Sequence, residues 1–316
     1  MYLGVNGKKF QRQYKEHLSD FKTWNQKKHA TEFIFYPKNI GVNLSLDETC
    51  MSNGELYTIL TNKAKKGKKG SIVAMVKGTD AKKIIPLIVK HISNRRRNLV
   101  KEITLDMAPS MNEIARTCFK KSSLVIDRFH VQKLAYDAVQ SIRIKYRWQA
   151  IEQDNEAFLK AKNKGIIHKQ ELLSNGDTLK QLLARSRYLL YKNNFNWTES
   201  QGERAAILFE KYPEIKTAYE ISRKLGVIYE KTKEPAVARL KLAHWFREVE
   251  LTKSKKFATV MHSFMRHTDT ILNYFNNRST NAAAESFNAK IKEFRRQFRG
   301  VRDLDFFLFR LTKIYA

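Results

Sequence analysis

Five short apolar stretches between residues 41 and 129 constrain the fold of this chain more than any other feature. The first alternates strictly between apolar and polar side chains, as a half-buried strand does. Amphipathic helices are predicted over 79–94 and 109–119, so the order is β-β-β-α-β-α-β. This order predicts an α/β protein with a mixed sheet, in which an antiparallel meander is followed by two parallel strands. The predicted strands are 41–47, 55–62, 71–77, 101–108 and 122–129.

The remainder of the chain is predicted to be helical. Residues 1–40 form a polar N-terminal helical segment. Residues 131–280 are rich in Leu, Tyr, Lys and Arg and are predicted to be an all-helical insertion. This insertion separates the first part of the core, 41–130, from its last part, 281–316. The last part opens with a strong helix over 281–298, which stops at a glycine.

Two aspartates end predicted strands in the same phase. In the first predicted strand, Asp47 is on the face opposite to the apolar side chains. Asp106 has the same position in the fourth predicted strand. If these strands are parallel neighbours, the two carboxylates lie side by side, which is unfavourable unless a cation or a proton separates them. Carboxylate oxygens suit Mg²⁺ or Mn²⁺, so we expect a divalent metal site here. Glu48 is expected to point to the opposite face and is left out of this site.

The last helix carries a third acid beside its apolar stripe. The stripe comprises Ala284, Phe287, Ile291, Phe294 and Phe298, and Glu285, Asn288 and Lys292 lie on its flank. An acid near a helix N-terminus suits the helix dipole. Because cations follow one and two turns later, the helix has the composition of a metal–phosphate site.

The charge balance predicts a polyanionic partner. The chain has 60 Lys and Arg against 31 Asp and Glu, a net charge of +29. No apolar run has membrane-spanning length, so nucleic acid is favoured over lipid, and no membrane partner is expected. Two cysteines without a Cys-x-x-Cys spacing favour a reducing cytoplasm. The residues predicted to bind the DNA backbone are Lys65, Lys66, Lys68, Lys69, Lys292, Arg295, Arg296 and Arg299.

Four sequence blocks, taken together, resemble those of bacterial insertion-sequence transposases of the DDE type. The blocks are "LSLDET", "ITLDMAPSM", "VIDRFHVQKL" and "STNAAAESFNAKIKEFRRQFRG", and the resemblance spans about residues 20–310. It is greatest to the class with an Asp-x-x-His block and an all-helical insertion before the catalytic Glu. The resemblance implies a ribonuclease-H-like core, the layout that the element order also favours.

The resemblance also implies an activity. Asp47, Asp106 and Glu285 would be the catalytic triad and would hold two Mg²⁺ or Mn²⁺ ions. The reaction would be phosphodiester hydrolysis at the ends of the element, followed by strand transfer into target DNA. The protein would act on double-stranded DNA as a homodimer, in the nucleoid of a bacterial cytoplasm. The alternatives are a nuclease of the same fold without strand transfer, or a DNA-binding relative without catalysis.

Some residues and partners stay open at this stage. Asp127 and His130 of the "DRFH" block would be a metal ligand and a base, or a structural pair, and the structural interpretation is favoured for Asp127. Asn288 is a further candidate for contacts around the ion. Core packing is favoured over base stacking for Trp148, Trp197 and Trp245. No zinc-finger spacing or complete helix-turn-helix is evident, so we expect a separate helix-turn-helix protein or a lost upstream segment to recognise the element ends.

Overall fold

The computed structural model describes residues 6–52, 54–297 and 300–316, so Phe298 of the predicted last helix and the predicted DNA-binding residue Arg299 lie outside the described residues. The chain divides into two compact units. The sheet unit contains the residues up to Asp127 together with Asn277–Ala316. The helical unit contains Arg128–Asn276.

The sheet unit is built on a six-stranded mixed sheet with the strand order β1-β4-β3-β2-β5-β6. The β2–β3 and β3–β4 pairs are antiparallel, and β5 pairs in parallel with both β2 and β6. The predicted α/β class, the meander and the parallel neighbours are therefore confirmed. The strands are β1 Phe33–Phe35, β2 Asn43–Ser52, β3 Glu55–Asn62, β4 Ile72–Lys77, β5 Glu102–Leu105 and β6 Ser123–Ile126.

Two predictions about the strands are wrong. Phe33–Phe35, assigned to the N-terminal helical segment, forms a strand because its backbone pairs with β4 while Ile34 and Phe35 are buried. The first predicted strand does not end at Asp47 but continues to Ser52, since β3 pairs with it along almost its whole length. Asp47 therefore lies in the middle of a strand.

Helices cover both faces of the sheet. Leu44 and Leu46 of β2 pack into a buried cluster with side chains of α2 and α4, whereas Met51 enters a second cluster with side chains of α13 and α14. This follows from the alternation of side chains along a strand. The helices of the sheet unit are α1 Gly7–Gln13, α2 Ala81–His91, α3 Asn94–Arg97, α4 Pro109–Cys118, α13 Ala282–Gln297 and α14 Leu304–Tyr315, and a π-helical turn spans Tyr14–Leu18.

The segment before the sheet packs on the C-terminal helix. Phe21 makes edge-to-face contacts with Phe306 and Phe309 of α14, and Lys15 pairs with Asp303. None of the residues of α1 is buried.

The helical unit is a bundle with its own core. The fully buried Trp245 donates its indole N–H to the carbonyl of Ile221 at 2.9 Å. Asp177 is buried and binds the guanidinium groups of Arg185 and Arg204. The helices are α5 Arg128–Asn163, α6 Leu179–Arg185, α7 Glu199–Lys211, α8 Pro213–Lys231, α9 Pro235–Leu251, α10 Lys255–Arg266, α11 Thr268–Leu272 and α12 Tyr274–Asn277, whose last residue belongs to the sheet unit.

Candidate active site

Asp47 lies on β2, and Asp106 directly follows β5, the parallel neighbour of β2. Ser45 of β2 pairs with Thr104 of β5, and each aspartate is two residues further along its own chain. Because side chains alternate along a strand, the Asp47 carboxylate belongs to the face of β2 that Ser45 occupies. β5 ends at Leu105, and the Asp106 carboxylate accepts a hydrogen bond from the Ala108 amide at 2.8 Å. The two half-buried acids are thus positioned by strand register and by a turn.

Amide groups bind the Asp47 carboxylate. Its Oδ2 accepts a hydrogen bond from the side-chain amide of Asn288 at 2.9 Å and a longer one from Asn281 at 3.5 Å. Its Oδ1 accepts from the Glu48 backbone N–H at 2.8 Å. Both asparagines belong to the last-helix region, so these bonds fix the orientation of Asp47 relative to α13.

Asn281, directly before α13, connects three parts of the sheet unit. It is fully buried, and its side-chain oxygen accepts a hydrogen bond from the Ser45 hydroxyl while its amide reaches Asp47. Its backbone N–H donates to the Asp127 carboxylate at 3.1 Å. Asp127 is itself fully buried at the end of β6. The start of the last helix is therefore anchored to three positions on the sheet.

Sequence reasoning missed Asn281 and Ser45, and it also missed the contact of Asp127 with the start of α13. The structural pair that would join Asp127 to the helix that follows it stays a prediction, and the Asp127 carboxylate accepts a hydrogen bond from the backbone N–H of Asn281 at the start of α13. His130 lies in the first turn of α5, in the helical unit. The signal for Asn281 was its spacing, since positions 281, 285 and 288 share one face of a helix.

Glu285 lies in the first turn of α13 and is exposed. Its spacing from Asn281 and Asn288 places it on the helix face whose asparagines contact Asp47. Within the described ranges, no three His, Cys, Asp or Glu side chains are gathered closely enough to hold a metal ion. The fold thus places Asp47 and Asp106 each two residues beyond a paired position of neighbouring strands, and it places Glu285 on the helix that binds Asp47.

Negative charge accumulates around the two aspartates. Partial burial raises the pKa of Glu48, and the carboxylates of Asp106 and Asp47 raise it further. Strand alternation places Glu48 on the face opposite to Asp47, as expected, yet it still experiences both charges. A cation in this region would relieve the repulsion between these like charges.

The basic side chains of α13 differ in their surroundings. Lys292 and Arg296 are exposed, and Arg296 pairs with Glu293 at 2.7 Å. Arg295 is half-buried, and its guanidinium reaches the carbonyls of Cys50 and Met51, both at 3.4 Å. The guanidinium of Arg295 thus contacts the backbone of β2, a contact that the sequence did not predict.

The basic turn between β3 and β4 touches the same helix. Lys65, Lys66, Lys68 and Lys69 are all exposed. Gly67, between them, has a φ of +68°, and its carbonyl accepts a hydrogen bond from the Lys290 ammonium at 2.7 Å. A side chain here would collide with that ammonium, because a Cβ would lie 2.9 Å from the Lys290 nitrogen. The two segments predicted to bind DNA are therefore in direct contact.

The three tryptophans of the helical unit have different environments. Trp245 packs in the core, and Trp197 donates its indole N–H to the Leu189 carbonyl at 2.9 Å while it contacts Tyr219. Trp148 is 59% exposed, so the expectation that it packs in the core is wrong.

One known protein family matches most of the chain. Residues 44–311, from β2 to α14, match the ISL3 family of DDE transposases. The chain belongs to this family. No curated protein and no solved structure matches the chain.

Membership of a transposase family implies that DNA is the substrate, and a net charge of +29 suits such a substrate. In the portion of the transposase that the structure describes, no helix combines the length and the apolar character needed to cross a bilayer.

Proposed function

We propose that this transposase cleaves the phosphodiester bond at the ends of its element and joins the freed end to target DNA. The observation that carries the proposal is the placement of Asp47 and Asp106, each two residues beyond the paired Ser45 and Thr104, together with a helix that binds Asp47 and carries Glu285. Asp47, Asp106 and Glu285 are the proposed catalytic residues. Family membership supports the reaction class, and the acid arrangement supports the assignment of residues.

The donor chemistry of these residues fits a hard divalent cation. All three offer carboxylate oxygens, the ligands that Mg²⁺ and Mn²⁺ prefer. Burial raises the pKa of Glu48, and the neighbouring Asp106 and Asp47 carboxylates raise it further, which supports a cation in this region. We therefore propose that Asp47 and Asp106 hold the metal and that Glu285 completes the ligand set for two ions. Bound Mg²⁺ or Mn²⁺ would polarise the phosphate and lower the pKa of the attacking hydroxyl.

The remaining residues position these acids. Asn288 and Asn281 fix the orientation of the Asp47 carboxylate. Asp127 and Ser45 hold the start of α13, so they determine where Glu285 lies relative to the sheet. We assign Asp127 this positioning role rather than that of a ligand.

The proposed chemistry is two successive substitutions at phosphorus. Water attacks the phosphorus at the end of the element, the bond to the 3′ oxygen breaks, and a 3′-hydroxyl and a 5′-phosphate are released. This hydroxyl then attacks a phosphorus of target DNA in line and displaces a new 3′ oxygen. One P–O bond replaces another in the second step, so no external energy source is required.

The basic turn and α13 are proposed to bind the DNA backbone. Lys65, Lys66, Lys68 and Lys69 are exposed, as are Lys292 and Arg296. Contacts of this kind bind phosphates without recognising sequence. We expect the logarithm of the affinity to fall linearly with the logarithm of the salt concentration, with a slope of about −0.9 per neutralised phosphate. An affinity that does not respond to salt would contradict a backbone-binding surface.

The decisive experiment incubates the purified protein with linear DNA that carries the element end, with Mg²⁺, with Mn²⁺ or with a chelator. We expect nicked ends and joined products only with a divalent ion. Cleavage without joining would identify a nuclease, and binding without cleavage in any metal would identify a DNA-binding relative.

A further inference from the structure

The second half of α5 extends beyond the core of the helical unit. The last buried residue of this 36-residue helix is Ala150, and its final 13 residues continue for roughly 20 Å. No residue between 152 and 176, all of which the structure describes, is buried. We define residues 152–173, the end of α5 and the segment that returns from it, as the arm.

The arm is held in one arrangement at its base. The Asp154 carboxylate of α5 accepts hydrogen bonds from His168 at 3.0 Å, from Gln170 at 2.8 Å and from Lys180 at 2.6 Å. These bonds tie the returning segment to the helix. The arm therefore presents a defined surface, although it contributes nothing to the core.

The surface of the arm is unusually apolar. Leu159 is 55% exposed, and Ile167, just beyond the end of the helix, is 84% exposed. Large apolar side chains concentrated on a projecting element mark an interaction surface. The exposed large apolar residues of the arm are Phe158, Leu159, Ile166, Ile167 and Leu172.

The charge of the arm differs from that of the chain. The arm has four acidic and four basic residues, whereas the whole chain has a net charge of +29. A neutral segment has no net attraction for DNA. It also permits the approach of a second copy of this strongly basic protein, which the rest of the charge would repel.

The order of the charges is self-complementary. Acidic Glu152 and Glu156 precede Phe158, and basic Lys160 and Lys164 follow it at the mirrored distances. If two arms pair antiparallel about Phe158, Glu156 of one copy meets Lys160 of the other, and Glu152 meets Lys164. Glu152, Glu156 and Lys160 share one flank of α5, because they are four residues apart. No ion pair within the described chain engages any of these four side chains.

We propose that the arm is a homodimer contact, in which the α5 arms of two copies pair antiparallel about a two-fold axis. Phe158 and Leu159 form the apolar centre, and four ion pairs between the copies surround it. A two-fold interface of this kind uses the same patch on both subunits. The proposal is independent of the catalytic assignment, since its test measures assembly rather than cleavage.

The test is sedimentation velocity of the full chain without DNA, over a range of protein concentrations at moderate salt. The acid-reversed variant is Glu152→Lys with Glu156→Lys, and the base-reversed variant is Lys160→Glu with Lys164→Glu. Each variant replaces all four attractions by repulsions. We expect each variant to raise the dimer Kd by on the order of 30-fold, because the small contributions of four exposed ion pairs are lost together.

The decisive sample is an equal mixture of the two variants, because opposite arms should form heterodimers about as tightly as the original protein. The control matched to the acid-reversed variant is Glu203→Lys with Glu220→Lys, which changes the net charge of the same unit by the same amount at exposed positions outside the arm. It should leave the dimer Kd within about twofold. Phe158→Ser with Leu159→Ser should abolish the dimer without a loss of helical circular dichroism.

A protein that stays monomeric at all concentrations overturns the proposal. So does a dimer that the arm variants leave intact, or a mixture that stays monomeric. A loss of DNA affinity in the arm variants, with no change in assembly, would identify DNA as the occupant instead.

Discussion

Two acidic groups, one in each unit of the transposase, have opposite electrostatic surroundings. In the helical unit, hydrogen bonds from Lys180 and His168 lower the pKa of Asp154 to about 2. In the sheet unit, burial together with Asp106 and Asp47 raises the pKa of Glu48. Carboxylates that cations surround serve as structural ties. Carboxylates that lie beside other carboxylates destabilise the folded protein unless a cation or a proton binds between them. The direction of the pKa shift therefore distinguishes the candidate site from the structural acids.

The largest effect is expected when the acids of the candidate site in the sheet unit are neutralised. Asp47→Asn, Asp106→Asn and Glu285→Gln should each lower the rate of strand cleavage by at least about 10³-fold, since each removes a preorganised charge from the reacting centre. DNA affinity, measured in parallel by gel shift, should change little. Glu113→Gln, an exposed acid of the same unit, is the control and should stay active. If Asp106→Asn is active while Asp127→Asn is inactive, the second ligand has been assigned incorrectly.

Neutralising a buried structural acid of the helical unit should instead lower the stability of the protein. Asp177→Asn leaves Arg185 and Arg204 without their charged partner, so the free energy of unfolding should fall by about 3 kcal/mol. Asp269→Asn is the matched control, because its pair with Arg239 is largely exposed, and it should cost no more than about 0.5 kcal/mol. Urea titration measures both values. Equal losses for the two variants would remove the contrast between buried and exposed pairs.

Substitution of the asparagines around Asp47 tests whether cleavage depends on the orientation of the Asp47 carboxylate. Asn281→Ala removes a fully buried side-chain amide that bonds Ser45 and Asp47, and it should lower the free energy of unfolding by about 2 kcal/mol. Asn288→Ala affects a half-buried residue, so it should cost less than about 1 kcal/mol yet lower the cleavage rate about tenfold.

Asn25→Ala, an exposed asparagine of the sheet unit, is the control for both. The midpoint of Mg²⁺ activation should shift to higher concentration in Asn288→Ala and not in Asn25→Ala. An unchanged midpoint would show that Asn288 does not orient the Asp47 carboxylate.

The smallest effect concerns pH. Because the pKa of Asp154 is lowered on folding, its contribution to stability is fully present above the usual value of 3.8 and is lost as the pH falls towards about 2. The difference in Tm between the original protein and Asp154→Asn should therefore be constant near pH 6 and shrink between about pH 4 and pH 2. A difference in Tm that persists at pH 2 would show that the stabilisation by the hydrogen bonds of Asp154 does not depend on its charge.

The sequence alone predicted the class of the fold and the phase of the two aspartates. Both depend on local periodicity: alternation along Asn43–Ser52 and Glu102–Leu105 determines which side chains share a face. The element order then made β2 and β5 parallel neighbours, as the structure has them. The assignment of Asp47, Asp106 and Glu285 as ligands stays a prediction.

Tertiary structure decided what no local pattern encodes. β1 forms only because β4 offers an open edge to a short apolar segment, and β2 continues past Asp47 because β3 pairs with it. Asn281 meets Asp127 across 154 residues of chain, and Ser45 across 236. Periodicity reports the face on which a side chain lies, whereas its partners depend on which distant segment packs against that face.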